Sequence, residues 1–241
     1  MSGPAKQLFR FKQFTVDQTG CAMKINTDGV LLGTLAAADN PASILDIGTG
    51  TGVIALMLAQ RFPDAEIDTV EIDEEAATTA GRNFSASPFA DSLTVYPGSF
   101  VDFFKDYPGK KYDLIVSNPP FYIDSLTSPE AKKNLAKHAN EDFFNKLIVN
   151  SLNSLTEQGV LWLILPINTA ELVRSIAAQN QLYLQKSITI HSFKADLPHR
   201  EVLAFSLLKV PVTHSKFVIY DAPKTFSVEY RAALANFFIV F

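Results

Sequence analysis

A glycine-rich turn between a buried strand and a helix constrains the fold of this 241-residue chain more than any other feature. The apolar run Ile44-Leu45-Asp46-Ile47 leads into Gly48-Thr49-Gly50-Thr51-Gly52, and the following segment, 53–59, has a helix-rich composition. Glycine has no Cβ and tolerates positive φ, so such a turn brings the backbone close to a ligand. Strand, turn and helix together predict the first βαβ unit of a parallel sheet.

Short apolar runs continue to alternate with amphipathic stretches along the chain. Further strands are predicted over 67–72, 93–96, 112–117, 160–165, 183–193 and 201–210, with a loop to about residue 138 and a helix over 141–155. The connection between the last two strands is short, which permits an antiparallel pair but not parallel neighbours. We therefore predict a Rossmann-like α/β fold, in which a doubly wound, mostly parallel, seven-stranded sheet has an antiparallel strand near one edge.

Chain length and composition fit one domain, because 241 residues with 47% hydrophobic content can bury one substantial core. We expect three parts: an N-terminal extension or lid (1–40), a catalytic core (41–210) and a C-terminal extension with a terminal helix (211–241). In the first part, Asn26 can cap a helix. In the last, Tyr230, Leu234 and Phe238 have the helical spacing of a stripe that faces the core.

Several classes of protein are disfavoured by simple features of the sequence. No apolar run approaches the roughly 18 residues of a membrane span, and the N-terminus lacks the layout of a secretory signal. Cys21 is the only cysteine, so neither disulfides nor a thiolate metal cluster is expected. The four histidines, His138, His191, His199 and His214, lack the spacing of metal ligands. We expect a cytoplasmic monomer that binds no metal and no membrane.

Charge does not by itself indicate a nucleic-acid partner, since the formal net charge is −4 and phosphate affinity comes from clustered Lys and Arg. Basic residues do occur in three groups: Lys6, Arg10, Lys12 and Lys24; Lys132, Lys133 and Lys137; and Lys194, His199 and Arg200. For any one group taken alone, a solvated surface of mixed charge is the better interpretation.

An acidic residue completes the pattern around the glycine turn. Glu71 ends the next strand about 20 residues later, where a carboxylate can accept hydrogen bonds from both hydroxyls of a ribose. Dinucleotide-binding turns have the spacing G-x-G-x-x-G, whereas this turn is G-x-G-x-G with Asp46 two positions ahead of it. A carboxylate at Asp46 would repel a pyrophosphate. The sequence therefore predicts a nucleoside ligand without one.

A second motif, Asn118-Pro119-Pro120-Phe121, follows the fourth strand at the sheet edge where the glycine turn lies. The Asn118 side-chain carbonyl and the Pro119 backbone carbonyl could each accept one hydrogen of an amino group and aim its lone pair. Proline rigidity holds the carbonyl still, and Phe121 offers a face on which a base can stack, worth about 1–3 kcal/mol.

These motifs resemble those of known enzymes. The glycine turn with Asp46 and Glu71 resembles the class I methyltransferases, which implies that the turn faces the methionine end of S-adenosylmethionine. The segment 118–121 resembles the acceptor motif of amino methyltransferases, which act on adenine N6, guanine N2 or a glutamine amide. Four residues do not separate these acceptors.

Two further regions narrow the resemblance. They are the opening segments 11–14, 21–24 and 27–33, and the later Leu197-Pro198-His199-Arg200. Over nearly the whole length the chain resembles the bacterial tRNA(Val) adenine-N6 methyltransferase family. The resemblance implies a tRNA partner, S-adenosylmethionine as the methyl donor, and methylation of the adenine immediately 3′ of the anticodon.

The resemblance also assigns roles to individual residues. It places Asp46, Gly48, Gly50, Gly52, Glu71, Ile72, Ser99, Thr27, Asp28 and Asn118 beside the cofactor, and Phe121, Lys24, His199 and Arg200 beside the RNA. Helix capping explains Thr27 and Asp28 equally well. Ser99 stands where many relatives have an aspartate, and Phe121 where tyrosine is frequent.

Three alternatives remain open from the sequence. The same two carbonyls could serve N5-methylation of a protein glutamine amide, although enzymes of that kind usually carry a separate N-terminal helical domain. Methylation of guanine N2 in rRNA is the second. The third is a non-catalytic binding subunit, whose expected sign is erosion of the glycine turn or of Asn118; both are intact.

Overall fold

The computed structural model describes the backbone of residues 7–120 and 130–241, and the side chains of these ranges except 130–138. The strands are β1 (Leu8–Arg10), β2 (Thr15–Asp17), β3 (Ser43–Ile47), β4 (Glu66–Glu71), β5 (Leu93–Pro97), β6 (Tyr112–Ser117), β7 (Leu155–Leu165), β8 (Tyr183–Phe193), β9 (Arg200–Ser206), β10 (Thr213–Ala222) and β11 (Thr225–Phe226). The helices are α1 (Thr27–Leu35), α2 (Val53–Arg61), α3 (Glu74–Ser85), α4 (Phe100–Asp106), α5 (Glu130–Ser154), α6 (Ile167–Gln179) and α7 (Val228–Leu234).

The central sheet has the order β11-β10-β8-β9-β7-β6-β3-β4-β5 within the described ranges. Strands β3 to β7 are parallel, and β9 lies antiparallel between β7 and β8. The short connection between β8 and β9 explains this reversal, because a parallel neighbour needs a long crossover. The predicted doubly wound, mostly parallel sheet with an antiparallel strand is confirmed, and β11 adds a second antiparallel strand at the edge.

The predicted number of seven strands is too low. Strands β3 to β9 form the expected seven, and β10 and β11 add two more beyond β8. The first four residues of β10 are exposed, and only Phe217 and Ile219 of this strand are buried. Its apolar run, 217–220, is only four residues long and falls in the segment 211–241 that was assigned to a C-terminal extension, so this edge was missed.

Several element boundaries also differ from the prediction; β7, for example, begins at Leu155 rather than at residue 160. Helix α5 begins at Glu130 rather than near residue 141, so the predicted loop to residue 138 is wrong over its second part. Its first turns are rich in Lys, Ala and Asn and lack apolar periodicity, which hid the helix. Strand β9 ends at Ser206, and α7 ends at Leu234, before Phe238. Phe238 instead packs against the core and bridges to Phe11.

Helices cover both faces of the sheet. Buried side chains of α1, α2, α3 and α7 form one core with one face, and those of α4, α5 and α6 form a second core with the other. The inner parallel strands β3, β4, β6 and β7 are therefore buried on both sides, and for that reason they contain near-continuous apolar runs. No helix in the described part of the chain is both long and apolar enough to cross a membrane.

Helix α1 is fixed at both ends, which matters because it borders the site. Asn26 caps its start, where the side-chain oxygen accepts a hydrogen bond from the Gly29 amide at 2.8 Å. At its end, the Arg61 guanidinium donates to the carbonyl oxygens of Gly33 and Ala36 at 2.8 and 2.6 Å. These contacts satisfy backbone groups that a helix leaves unpaired at its termini.

Helix α7 provides a test of capping in the C-terminal segment. The Ser227 hydroxyl accepts from the Tyr230 amide at 2.9 Å and donates to the Val218 carbonyl at 2.6 Å. We expect Ser227→Ala to lower the free energy of unfolding by about 1–2 kcal/mol, because a cap and a buried hydrogen bond are both lost. Urea denaturation measures the change, with the exposed Ser215→Ala as the matched control. Equal midpoints for the two variants would contradict this role.

Candidate active site

The site is built where two neighbouring parallel strands end. In the register of β3 and β6, Ile47 pairs with Ser117, the last residue of each strand. The buried Ser117 hydroxyl also donates to the Ile47 carbonyl at 2.8 Å. Gly48 and Asn118 follow directly, so the glycine turn and the second motif leave the sheet side by side.

The glycine turn is open on the side where a ligand would approach. Gly48, Gly50 and Gly52 have φ values of +75°, +55° and +81°, in the region that favours glycine. No heavy atom lies within 4 Å of a Cβ built on Gly48 or Gly50. A Cβ on Gly52 would lie 2.4 Å from Cε1 of Phe84. The first two glycines therefore leave room for a ligand, and the third permits close packing of α3.

Glu71 presents a carboxylate of fixed orientation beside the turn. One oxygen, Oε2, accepts from the Gly50 amide at 2.8 Å, and the other, Oε1, accepts from the Asp73 amide at 3.0 Å. Each carboxylate oxygen can accept a further hydrogen bond. The next side chain, Ile72, is 73% exposed despite being large and apolar. This pair suits a nucleoside, with hydroxyls on the acid and a flat base over the isoleucine.

Asp46 is a buried carboxyl with one oxygen unpaired. Oδ2 accepts from the Thr49 hydroxyl at 2.7 Å, whereas Oδ1 is buried without a hydrogen-bond partner among the described residues. Burial raises the pKa of Asp46 to about 7, the Thr49 hydrogen bond partly offsets this rise, and the nearby Glu71 carboxylate adds to it. A buried acceptor of this kind is costly unless a donor or a cation meets it. It therefore fits a ligand that carries an ammonium group.

Asn118 supplies a second buried acceptor without a partner. Its Oδ1 has no hydrogen bond among the described residues. A Cβ built on Gly29 would lie 3.8 Å from Nδ2, so helix α1 packs close to the amide. Pro119 is buried and Pro120 is half-buried. Phe121, the last residue of the predicted motif, lies outside the described residues.

Two residues with different predicted roles meet at the start of α1. The Arg200 Nε donates to Asp28 Oδ2 at 2.7 Å, and its Nη1 donates to the His199 carbonyl at 2.9 Å. Burial and the neighbouring guanidinium lower the pKa of His199, so its ring is neutral at pH 7. Thr27 and Lys24 are exposed, and Lys24 lines the cavity bordered by Gly48 and Asn118. Asp28 thus holds Arg200 beside the site.

Ser99 lies near Glu71 but its hydroxyl is already engaged. The Gly98 amide donates to the Glu71 backbone carbonyl at 2.8 Å, which places the start of α4 at this edge. Ser99 caps α4, accepting from the Asp102 amide at 3.1 Å and donating to Asp102 Oδ2 at 2.6 Å. The carboxylate of Asp102 therefore lies beside the Ser99 hydroxyl at this edge.

Sequence reasoning missed several supporting residues. Thr49 and Ser117 were not singled out, although both lie within the motifs. Asn83 has no local signal: its amide nitrogen donates to the Thr51 carbonyl at 2.8 Å, and its oxygen accepts from the Asp17 amide at 2.9 Å. It thereby ties the glycine turn to β2.

Among the described residues, no group of His, Cys, Asp and Glu is placed to hold a metal ion.

Comparisons with known proteins agree on one family. The chain matches the family model of the methyltransferase small domain over residues 26–175. It is 44% identical over 236 residues to the tRNA1(Val) (adenine(37)-N6)-methyltransferase of Pedobacter heparinus, covering 98% of this chain and 100% of the relative. The chain belongs to the tRNA1(Val) (adenine(37)-N6)-methyltransferase family.

A second relative and a solved structure are also similar to this chain. The family member of Porphyromonas gingivalis is 40% identical over 233 residues, which cover 92% of this chain and 91% of the relative. The structure of a predicted O-methyltransferase from Agrobacterium tumefaciens superposes with a TM-score of 0.69 and 15% identity, covering 87% of this chain and 96% of that one. At such low identity the structural similarity establishes a shared methyltransferase fold.

The raised pKa of Asp46 predicts how the stability of the protein changes with pH. The pKa of about 7 in the folded protein lies above its ordinary value of 3.8, so the native state binds the extra proton between these limits. The contribution of Asp46 to stability therefore falls as pH rises from about 4 to about 7. Asp46→Asn removes this ionisation and should gain stability relative to wild type by at least about 1.4 kcal/mol over that range, equivalent to one pKa unit. Urea unfolding at a series of pH values checks this, and a constant difference would show that the carboxyl does not titrate as described.

Proposed function

We propose that this chain transfers the methyl group of S-adenosylmethionine to N6 of an adenine in tRNA, namely the adenine at position 37 of tRNA1(Val). The observation that carries the proposal is the unpaired, buried Asn118 oxygen at the end of β6, beside the glycine turn at the end of β3. The names of the most similar relatives support the substrate.

Residues of the turn and its neighbours would hold the cofactor. Glu71 accepts hydrogen bonds from ribose hydroxyls, and the unpaired Oδ1 of Asp46 meets the ammonium of the methionine part. Gly48 and Gly50 allow the backbone to approach. The exposed face of Ile72 and the α4 start at Ser99 border the adenine. When bound, S-adenosylmethionine would supply the methyl group of its sulfonium. The bond from carbon to sulfur would break as the bond from carbon to nitrogen forms, and the product of the cofactor would be S-adenosylhomocysteine.

The acceptor side works through position rather than through a strong base. Asn118 Oδ1 and the Pro119 carbonyl each accept one hydrogen of the amino group, which draws the N6 nitrogen toward tetrahedral geometry. Its lone pair is then less delocalised into the ring and points toward the donor side. One of the two amino protons is released to solvent after transfer. Phe121 is proposed as the stacking face for the extruded base.

The RNA is proposed to approach across α1 and the start of β9. Lys24 is exposed at the cavity, and Arg200 is held in place by Asp28. Contacts from such cations to phosphates position the RNA without reading its sequence. Lys132, Lys133 and Lys137 are proposed to join them; their side chains lie outside the described ones. We further propose that the chain is a cytoplasmic, single-domain monomer.

The alternatives have less support. Methylation of a protein glutamine amide or of guanine in rRNA could use the same two carbonyls. The relatives that match nearly the full length are named as tRNA adenine-N6 methyltransferases, and none of those compared above bears either other name. A non-catalytic role is disfavoured by the intact turn and by the unpaired Asn118 oxygen.

Substitution of Asn118 tests the acceptor mechanism. With labelled S-adenosylmethionine and unmodified tRNA, wild type should form N6-methyladenosine, identified by mass spectrometry after nuclease digestion. We expect Asn118→Ala to lower kcat about 100-fold or more, as for other lost groups that stabilise a transition state, with a much smaller effect on cofactor binding. Asn153→Ala is the matched control, because Asn153 is exposed and precedes β7 at the opposite sheet edge. An unchanged kcat for Asn118→Ala would refute the mechanism, and another methylated nucleoside would refute the substrate.

Substitution of Glu71 tests the cofactor site separately. Glu71→Gln keeps the side-chain size but removes a charge that accepts hydrogen bonds, so we expect affinity for S-adenosylmethionine to fall about 10- to 100-fold. Isothermal titration with the cofactor alone measures this. Glu66→Gln, an exposed residue at the other end of β4, is the control. Equal affinities of both variants for S-adenosylmethionine would show that Glu71 does not bind the ribose.

A further inference from the structure

The connection between β8 and β9 carries an unusually exposed apolar side chain. Leu197 is 87% exposed, more than any other large apolar residue in the described part of the chain, and Pro198 follows it. Single exposed leucines are common on protein surfaces. Whether this one has a function therefore depends on how its loop is held and on what lies beside it.

The loop is held rigidly by hydrogen bonds on both sides of its tip. The buried His191 ring donates from Nδ1 to the Asp196 carbonyl at 2.7 Å. The Asp196 amide donates to the Phe193 carbonyl at 3.0 Å, and its carboxylate accepts from the Phe193 amide at 3.2 Å. Beyond the tip, the His199 amide donates to the Ile190 carbonyl at 3.0 Å. A side chain held out on such a turn loses little freedom when it binds.

The tip lies at the sheet edge that carries the acceptor site. Strand β9 runs opposite to β7, and Leu165, the last residue of β7, pairs with Glu201 at the start of β9. The loop therefore turns at the same sheet edge as the glycine turn. Arg200, three residues after Leu197, is 2.7 Å from Asp28, which adjoins the glycine packed against Asn118.

Cationic residues flank this apolar tip in the chain and on the neighbouring strand β10. Lys194 is exposed, and the exposed Lys216 donates from Nζ to the Lys194 carbonyl at 2.5 Å. Arg200 follows the tip, and its guanidinium is paired with the Asp28 carboxylate at the start of α1. The carboxylate of Asp196 is turned back to the Phe193 amide. An apolar tip flanked by cations suits a nucleic acid. Its phosphates can contact the cations, and its bases offer apolar faces to the leucine.

We propose that Leu197 is a wedge, which enters the tRNA base stack and fills the space left by the adenine that turns out toward Asn118. This inference rests on the proposed function. An adenine in an anticodon loop is stacked on its neighbours, and apolar side chains of other proteins insert between stacked bases and offset the cost of unstacking. Leu197 acts on the substrate before methyl transfer and has no part in binding the cofactor.

The experiment uses tRNA1(Val) with 2-aminopurine at position 37, because the fluorescence of this base rises when it leaves the stack. The full-length wild type is compared with Leu197→Ala, Leu197→Met and Leu208→Ala. Leu208 is 48% exposed and follows the far end of β9, so it is the matched control. Methylation of unmodified tRNA and binding of S-adenosylmethionine are measured in parallel.

We expect Leu197→Ala to lose most of the fluorescence rise and to lower kcat/KM for tRNA about tenfold or more, with cofactor affinity unchanged. Leu197→Met should restore both readouts, and Leu208→Ala should match wild type. If wild type methylates tRNA and Leu197→Ala equals it in fluorescence and rate, the wedge is wrong while the proposed function stands. If wild type forms no N6-methyladenosine, the proposed function fails, and the wedge fails with it.

Discussion

The rest of the site depends on the pairing of β3 with β6. Their last residues, Ile47 and Ser117, share a ladder position and a second hydrogen bond through the serine hydroxyl. Backbone hydrogen bonds between parallel strands fix relative position to within a fraction of an ångström, and both strands are buried on two faces. The loops that follow thus begin from one rigid base. A nucleophile and its methyl donor need fixed relative positions of this kind, because small misplacements lower the reaction rate by large factors.

Two buried oxygens give this rigid base its chemical direction. Asp46 Oδ1 and Asn118 Oδ1 each lack a partner among the described residues, and burial raises the pKa of Asp46 to about 7. Unpaired buried acceptors reduce the stability of the folded chain, so the surrounding packing must compensate for them. Under the proposed function, the ammonium of the cofactor would pair with the carboxyl, and the amino group of the substrate would pair with the amide. The unliganded protein would thus be less stable than its packing alone allows, and ligands that pair with these oxygens would be bound selectively.

Local patterns predicted the parts of the site that follow strands. The glycine turn, Glu71 and Asn118 could be placed because strand ends in a doubly wound sheet meet at one edge. Strands β10 and β11 and the first turns of α5 were missed, since the apolar runs of the two strands are short and the first turns of α5 lack apolar periodicity. The Asp28 and Arg200 pair joins residues 172 positions apart, and Asn83 reaches the turn from another helix. Such contacts depend on how elements pack, which spacing along the chain does not encode.

The reversed direction of β9 has an effect beyond the order of the sheet. In an all-parallel sheet every strand is followed by a loop at one edge and preceded by a loop at the other, so the reactive edge receives one loop from each strand. Reversal gives this edge a hairpin whose two stems are anchored in the ladder. Such a projection can change its tip residues without disturbing any buried strand. A lineage of enzymes with this fold could therefore exchange one RNA target for another while the chemistry at the neighbouring strand ends stays the same.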